Sequence, residues 1–310
     1  MRIFKNFDAV GEIRNAVVTT GSFDGVHIAH KVILQHLRNH ADEINGETVL
    51  ITFDPHPKKV LYPETVGKDL YLINSRREKI YLLEKAGLDN LIIIDFTVEF
   101  SKITSVEFVK NILLNKLHAR KIVIGFNHHF GHKREGDYEA LRKLGIENGF
   151  DVEEIPEQDI QNELVSSAKI RKSLMEGDIQ KANTYLDHHY LIMGPAKPSN
   201  IMLSEIGFPS LTIRIEEDCK LVPPNGVYAV IVNGGIKPIK GLCFIRKNEE
   251  SPIDTLVEVH LIGSNEQLAN KVLALYFYKR IREERTMNSI EDLRKQLQID
   301  KAQIDELSFL

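Results

Sequence analysis

The chain has no tryptophan, only two cysteines and no long run of apolar residues. Cys219 and Cys243 fit no metal-ligand spacing and are too few for a disulfide framework, which is typical of a protein from a reducing compartment. Residues 1–10 carry charges and no sustained apolar segment, so we expect no signal peptide, and no stretch approaches the length of a membrane span. These absences predict a cytoplasmic protein with no membrane partner.

Basic residues do not outnumber acidic residues either. The formal net charge is −4, so the overall field does not attract nucleic acid. With 310 residues, of which 43% are hydrophobic and 27% charged, the chain has an ordinary globular composition and enough length for two domains. We therefore expect small-molecule partners, and the sequence leaves open whether the chain forms a homo-oligomer.

The Gly-x-Gly-x-x-Gly pattern of many dinucleotide-binding proteins is absent, but another glycine-bracketed turn joins an apolar run at 16–18 to a helical pattern. The apolar spacing predicts a helix that begins at Val26, with Asp24 as its N-cap. Amides of the turn would face a ligand at the positive end of this helix, and phosphate suits such a position. The predicted phosphate-binding residues are Gly21, Ser22, Phe23, Asp24 and Gly25.

Two histidines follow this turn. His27 and His30 are three positions apart, which predicts that both imidazoles lie on one face of the helix, beside a bound phosphate. Neutral donors near developing phosphoryl charge stabilise a transition state without a covalent intermediate. A lone histidine in a first helical turn is ordinarily a surface residue, but the preceding turn favours a catalytic pair. A metal site here would need a third ligand, so we expect no metal held by a cluster of protein side chains.

Strand and helix patterns then alternate. Strands are predicted at 48–53, 91–94 and 122–124, and helices at 76–86 and 105–117, which predicts a doubly wound, Rossmann-like α/β sheet. The first of these strands ends in Asp54-Pro55-His56-Pro57, where two prolines fix the direction of the His56 imidazole. Its place at a strand end is typical of sites in α/β sheets.

Two later stretches of this half also carry polar groups. A loop at 125–132 contains three histidines, His128, His129 and His132, for which solvated side chains are favoured over a metal cluster. Ser166 and Ser167 precede an apolar helical run, where hydroxyls cap open amides and Arg171 can reach a triphosphate. A simple capped helix is the alternative interpretation.

The pattern changes in the second half. Short β-type runs separated by Pro, Gly and Asn turns are predicted at 210–215, 227–232, 240–245, 255–262 and 271–278. They indicate a small antiparallel barrel, followed by a charged C-terminal helix at 289–297. The fold class is therefore an α/β domain followed by a β-barrel domain.

These motifs resemble those of one family, the prokaryotic bifunctional riboflavin kinase/FAD synthetases of the nucleotidyltransferase superfamily. Residues 21–30 are similar to Gly-x-Phe-Asp-Gly-x-His-x-Gly-His, with Ala29 at the third glycine, and residues 52–57 match Thr-Phe-x-Pro-His-Pro. Residues 125–131 resemble its flavin and nucleotide loop, and residues 166–171 its Ser-Ser-Thr/Ser-x-Ile-Arg motif, with Ala168 at the third hydroxyl. The resemblance implies flavin contacts from His56, Pro57 and Asn127.

In the second half, the resemblance is to the riboflavin kinase domain of these enzymes. Glu258 lies in the Val-Glu-Val-His-Leu context of the family's catalytic base. The Gly-x-Pro-Thr-Ala-Asn motif that holds magnesium and phosphates is here Gly-Phe-Pro-Ser-Leu-Thr at 207–212, so Ser210 and Thr212 stand at its hydroxyl and amide positions. This departure puts the kinase activity in question.

The resemblance implies an FMN adenylyltransferase domain at 1–186 and a riboflavin-kinase-like domain at 187–310. The FMN phosphate would attack the α-phosphorus of Mg-ATP, giving FAD and pyrophosphate. The implied ligands are ATP, magnesium bound with ATP, FMN, FAD and riboflavin. Three alternatives stay open: a transferase whose barrel is a non-catalytic flavin-binding module, a nucleotidyltransferase with another substrate, and a flavin carrier without activity.

Overall fold

The computed structural model describes residues 1–126, 128–160, 163–199, 201–247, 255–264 and 266–308. The chain forms two compact units. The first combines Met1–Leu70 with Lys79–Val165, and the second combines Tyr71–Glu78 with Ser166–Leu310. In the described residues, no helix has both the length and the apolar character needed to cross a membrane.

The first unit contains a six-stranded sheet in the order β1-β4-β3-β2-β5-β6, and every neighbouring pair is parallel. The strands are β1 (Arg2–Phe4), β2 (Val17–Thr20), β3 (Thr48–Asp54), β4 (Asn90–Asp95), β5 (Lys121–Gly125) and β6 (Asp151–Ile155). The helices are α1 (Ile28–Glu43), α2 (Pro57–Leu61), α3 (Arg76–Lys85, which begins in the second unit), α4 (Ser105–Glu107, continued as a π-helix over Phe108–Leu114) and α5 (Tyr138–Asn148). A small hairpin pairs β7 (Asp159–Ile160) with β8 (Glu163–Leu164).

Strand β2 lies in the middle of the sheet and is buried along its whole length. It is paired along both edges, with β3 and β5, and helix α1 packs against it, so its side chains lie inside the layered α/β domain. The chain leaves β2 toward β3 on one side and later adds β5 on the other. This reversal opens a crevice beyond the carboxyl end of β2, the place where doubly wound sheets bind ligands. The predicted Rossmann-like fold is confirmed.

The predicted start of the first helix is wrong. Helix α1 begins at Ile28, and His27 is its N-cap in an extended conformation, with φ −74° and ψ 174°. Val26 has φ +42°, which a right-handed helix excludes, so the helix cannot begin there. The side chain of Asp24 is buried and is not the N-cap.

The second unit contains a closed antiparallel barrel in the order β10-β13-β12-β11-β14-β9. Its strands are β9 (Leu191–Pro198), β10 (Ser210–Ile213), β11 (Gly226–Asn233), β12 (Ile239–Lys247), β13 (Thr255–Leu261) and β14 (Val272–Glu283). Its helices are α6 (Ser167–Met175), α7 (Ile179–Leu186), α8 (Ile201–Glu205) and α9 (Ile290–Glu306). The predicted barrel and C-terminal helix are confirmed, although β9 was not among the predicted strands.

A buried ion pair organises the second unit around the segment Tyr71–Glu78. Lys220 Nζ lies 2.7 Å from Glu78 Oε2, and both side chains are only 1% exposed. The ammonium also donates to the carbonyls of Ile73 (2.6 Å) and Leu191 (3.0 Å). The carboxylate accepts from the amides of Ser75 and Met193, each at 2.8 Å. Because both charges are fully hydrogen-bonded, their burial is tolerated, and segment 71–78 is held against β9.

We expect Lys220→Met to destabilise the second unit by about 3 to 5 kcal/mol, because it leaves the Glu78 carboxylate buried without its cation. Urea unfolding followed by far-UV circular dichroism measures this change. Arg77→Gln is the matched control, since the Arg77–Glu216 pair of the same segment is exposed and such pairs contribute about 1 kcal/mol or less. Equal losses in the two variants would contradict the importance assigned to the buried pair.

Candidate active site

The turn after β2 has an unusual backbone. Phe23 (φ +46°), Gly25 (φ +94°) and Val26 (φ +42°) all occupy the left-handed region. Glycine tolerates this conformation, but a β-branched residue there is a true outlier. Val26 is completely buried, and the Gly21 amide donates to the Ile51 carbonyl of β3 at 3.0 Å, so the turn is fixed at both ends. Strain of this kind persists where the surroundings enforce it, and it is concentrated at functional sites.

His27 and His30 lie together beside this turn. Their rings are stacked with centroids 3.7 Å apart, and Phe23 stacks on the other side of His30 at 4.4 Å. Burial, together with the charges of His27 and Lys79, lowers the pKa of His30 well below its ordinary value. His30 is therefore neutral at physiological pH, and its Nδ1 atom is buried without a hydrogen-bond partner among the described residues. The structure thus brings together the two predicted histidines, although His27 caps the helix and does not lie within it.

Lys79 is a cation at this site that the sequence analysis did not identify. Its Nζ donates to the Ser22 carbonyl at 2.9 Å, and the hydroxyl of Thr52 donates to the same oxygen at 3.3 Å. Both bonds fix the peptide between Ser22 and Phe23. The sequence predicts a helix at this lysine. It does not predict the contact with Ser22, because the two residues are 57 positions apart and no local pattern links them.

The Pro-His-Pro stretch follows β3, the strand next to β2. His56 is the N-cap of α2, and its Nδ1 accepts a hydrogen bond from the amide of Lys58 at 3.2 Å. Pro57 occupies the first turn of α2, where a missing amide hydrogen has no cost. The side chain of His56 is buried and its direction is fixed, as the sequence predicted.

The loop after β5 lies on the other side of β2, and Asn127 falls outside the described residues. The prediction of three solvated histidines is wrong at His128. Its ring is partly buried and stacks on Phe130, and burial, followed by the charges of His129 and Arg134, lowers its pKa to about 4. The Nδ1–H of His132 donates to the Ser101 carbonyl (3.2 Å), while His129 contacts Arg134, so the three rings have separate partners.

The serine motif belongs to the second unit. Ser166 is the N-cap of α6 and accepts from the amide of Lys169 at 3.4 Å, so the predicted cap is confirmed. Ser167 is the first helical residue. Arg171 is partly buried. It lies in the second turn of α6 and not in the first turn, where its place shortly after the two serines would put it.

The barrel register gathers the residues predicted for a second site. Thr212 of β10 lies directly opposite Glu258 of β13, and Ser210 lies opposite His260. Residues two apart on a strand share a face, and directly paired residues are neighbours, so Ser210, Thr212 and Glu258 lie on one face. The Ser210 hydroxyl donates to the Phe208 carbonyl at 2.9 Å, whereas Thr212 is partly exposed.

Glu258 is nearly inaccessible and both of its carboxylate oxygens are occupied. Arg246 donates to Oε2 from Nε (2.9 Å) and from Nη2 (2.8 Å), and the Ser199 hydroxyl contacts Oε1. Neither partner was predicted from the sequence. Burial, followed by the charge of Glu258, raises the pKa of the neighbouring Cys243 thiol, which therefore stays protonated.

A cavity in the barrel unit reaches this carboxylate. Its lining includes Val227, Phe244, Arg246, Glu258, Arg282 and Leu297. Arg282 forms a bidentate pair with Asp300 of α9, with Nε–Oδ1 at 3.0 Å and Nη2–Oδ2 at 2.8 Å, so α9 closes one side of the cavity. An apolar wall with a few fixed charged groups is typical of a site for a flat, partly polar small molecule.

Comparisons with known proteins assign a family to each half of the chain. A family model described as FAD synthetase matches residues 10–169, and one described as riboflavin kinase matches residues 186–308. A bifunctional riboflavin kinase/FMN adenylyltransferase from Buchnera aphidicola is 31% identical over 97% of this chain and 96% of that protein. The protein of the same description from Haemophilus influenzae is 32% identical, over 93% of this chain and 92% of that one.

The fold also occurs in a solved structure. A Streptococcus pneumoniae protein described as a macrolide-efflux protein superposes with a TM-score of 0.88 and covers 99% of both chains. Its sequence is 24% identical, so this likeness shows the shared fold alone.

We expect the rings of His30 and His128 to stay neutral in the folded protein at pH values well below the ordinary pKa of histidine. Ring-proton NMR signals are assigned with His30→Gln and His128→Gln; the His128 signal should titrate only near a pKa of about 4, and the His30 signal should titrate well below the ordinary range of histidine. In urea, where the chain is unfolded, the same signals should titrate with a pKa of about 6.5.

The lowered pKa values also determine how stability depends on pH. Each neutral ring contributes stability that is present above the unfolded-state pKa of about 6.5 and is lost as the pH falls below it, because only the unfolded chain then takes up the proton. Titration of either folded-state signal near about 6.5 would contradict the burial that we assign to these rings.

Proposed function

The chain belongs to the bifunctional riboflavin kinase/FMN adenylyltransferase family, and on that premise we propose which residues perform each reaction. It synthesises FAD by transferring AMP from ATP to FMN, with release of pyrophosphate. We assign this transfer to residues 1–186 and the riboflavin kinase reaction to residues 187–310.

The stacked pair of His27 and His30 beside the strained turn is the observation that carries the first assignment. An oxygen of the FMN phosphate attacks the α-phosphorus of ATP, and the bond from that phosphorus to the pyrophosphate oxygen breaks. Neutral imidazoles donate hydrogen bonds to the phosphate oxygens as charge builds on them. Because the turn is rigid before the substrate arrives, its amides need no reorganisation, and no side-chain nucleophile is required.

Further groups are proposed to hold the substrates. The Gly21 amide is already bonded to the Ile51 carbonyl, so Gly21 shapes the turn, while the amides of residues 22–25 and the ammonium of Lys79 beside the Ser22 carbonyl provide positive charge for the triphosphate. On the family motif alone, we assign Ser166, Ser167 and Arg171 to the binding of ATP phosphates. His56, Pro57 and Asn127 are assigned to the flavin.

Magnesium is proposed to enter with ATP. The histidine nitrogens beside the turn suit Mg²⁺ poorly, since this ion prefers oxygen ligands, and residues 21–25 supply a single carboxylate, that of Asp24. The phosphates of ATP would therefore supply its principal ligands. Bound there, the ion offsets the negative charge of the triphosphate.

The kinase reaction is proposed for the cavity beside Glu258. As a base, its carboxylate would take the proton of the riboflavin 5′-hydroxyl while that oxygen attacks the γ-phosphorus of ATP, and the bond from this phosphorus to the oxygen bridging to the β-phosphate would break, giving FMN and ADP. The Thr212–Glu258 register favours this assignment, because the nucleotide motif and the base share a face. The bonds from Arg246 and Ser199 oppose it, since the substrate hydroxyl must displace one of them to reach an oxygen.

The second candidate is therefore a transferase whose barrel binds flavin without phosphorylating it. Leu211 and Thr212 in place of the family's alanine and asparagine favour this alternative. We further propose a cytoplasmic location, since neither Cys219 nor Cys243 takes part in a disulfide.

We expect His30→Gln and His27→Gln each to lower kcat for FAD formation from FMN and ATP by about 100-fold or more, because the flexible glutamine amide does not keep the position that ring stacking gives to the imidazole donor. The measurement is chromatographic quantification of FAD, with pyrophosphate release assayed in parallel. His118→Gln is the control, since this exposed histidine lies outside the site.

Wild-type rates in His30→Gln would contradict the catalytic assignment. If the unmodified chain bound FMN but released no pyrophosphate, it would be a flavin carrier and the transfer itself would be wrong.

We expect Thr212→Asn to raise FMN formation from riboflavin and ATP by about tenfold, because it restores an amide next to the phosphates, and a hydrogen bond to a charged group contributes about 1.5 to 3 kcal/mol. Thr212→Val removes the hydroxyl without adding an amide and serves as the matched control. FAD formation from FMN should be unchanged in both variants. Riboflavin binding without any FMN formation, in wild type and Thr212→Asn alike, would establish the non-catalytic barrel.

A further inference from the structure

A second cluster of histidines lies on α1, away from the turn. His36 and His40 are four residues apart and therefore share one face of the helix. Both point at Glu153 of β6, the strand at one edge of the parallel sheet. None of these three side chains has a role in the reactions proposed above.

The geometry of the cluster suits a transition-metal ion. His36 Nδ1 lies 3.0 Å from Glu153 Oε1, and His40 Nε2 contacts Oε2. One ligand atom from each residue can be chosen so that all three lie within 4.8 Å of one another. Two imidazoles and one carboxylate, with a fourth position left to water, form a common donor set for Zn²⁺. We propose that His36, His40 and Glu153 form a zinc site that joins α1 to β6.

The surroundings of His40 decide which form of the ring is present. Its Nδ1 lies 3.0 Å from Glu43 Oε2 and 3.3 Å from Lys121 Nζ. If Nδ1 donates to Glu43, the lone pair of Nε2 is directed at Glu153 and is available to a metal. A carboxylate that fixes the second nitrogen in this way is typical of histidines that bind zinc. If Nδ1 instead accepts from Lys121, Nε2 carries the proton and donates to Glu153.

Lys121 therefore competes with the ion. Its ammonium also lies 3.9 Å from the Glu153 carboxylate, so it supplies positive charge to the cluster without metal. His36 and Glu153 are 40% and 29% exposed, so an ion can reach the cluster from solvent. Zinc would displace the ammonium and replace an ion-pair network by coordination bonds.

The expected consequence is structural. Because the three ligands come from two elements separated by more than 100 residues in the chain, the ion would cross-link them and oppose their separation on unfolding. Helix α1 also carries His30 at its other end, but the site itself does not include any group assigned to the substrates.

The test uses the full chain freed of metal by a chelator that is then removed by dialysis. Zinc chloride is titrated while the thermal midpoint of unfolding is followed by circular dichroism, and bound zinc is counted by equilibrium dialysis. We expect one tightly bound ion per chain and a rise in the midpoint. His40→Gln should lose both, whereas His118→Gln, an exposed histidine outside the cluster, should retain both.

Two further measurements sharpen the result. Lys121→Met removes the competing ammonium, so the zinc concentration at half-saturation should fall by about tenfold. Mg²⁺, which prefers oxygen ligands, should not replace zinc. The proposal is overturned if zinc leaves the midpoint unchanged, or if His40→Gln binds the ion as wild type does, which would place it at another site such as His27 and His30. None of these outcomes depends on FAD synthesis.

Discussion

The conformation of the turn after β2 is the constraint on which the first site depends. Three residues with positive φ keep the chain from becoming helical before Ile28, at a cost of order 1 to 3 kcal/mol for each non-glycine residue. That cost is borne by the burial of β2 between β3 and β5 and by the complete burial of Val26. A turn enforced in this way presents its amides in one arrangement. The extended conformation of His27 at the N-cap position then allows the two imidazoles to stack. In a helix that began at Val26, His27 would have helical dihedral angles and its ring would point in another direction.

Charge is handled differently in the two units. In the first, burial keeps His30 neutral and the charge of Lys79 lowers the pKa of the ring further, so a neutral imidazole and a separate cation lie near the same turn. In the second, Glu258 is buried as a paired carboxylate with both oxygens occupied. For the first arrangement we have proposed phosphate as the ligand. The second requires an exchange of hydrogen bonds before its carboxylate can act on a hydroxyl, and the arginine remains the stronger of the two partners because its contact is ionic.

The sequence predicted those features whose signals are local. Local signals act within a few residues, as at the turn of residues 21–25, the prolines around His56 and the Ser166 cap. The spacing of apolar residues along strands and helices predicted the fold class of each half of the chain. Asp24 was misplaced as a helix cap because composition cannot reveal a buried side chain or a positive φ at a valine. The pairs Glu78–Lys220 and Arg246–Glu258, and the approach of Lys79 to Ser22, are created by tertiary packing. Their members are ordinary surface residues by sequence pattern, so no local rule identifies them.

The two sites differ in which family-motif residues can change, because strand register sets the position of one site and backbone conformation sets the position of the other. In the barrel, backbone hydrogen bonds set the register, so position 212 faces Glu258 whichever side chain it carries. The place of the site can therefore persist while threonine replaces asparagine and its chemistry changes. In the turn, the backbone conformation itself depends on Gly25 and on the packing of Phe23 against His30. A change there would move the site as well as alter its chemistry. The motif residues that shape the turn are kept, whereas Ala29 replaces glycine inside helix α1, where alanine is the better helix former and the backbone makes no demand for glycine.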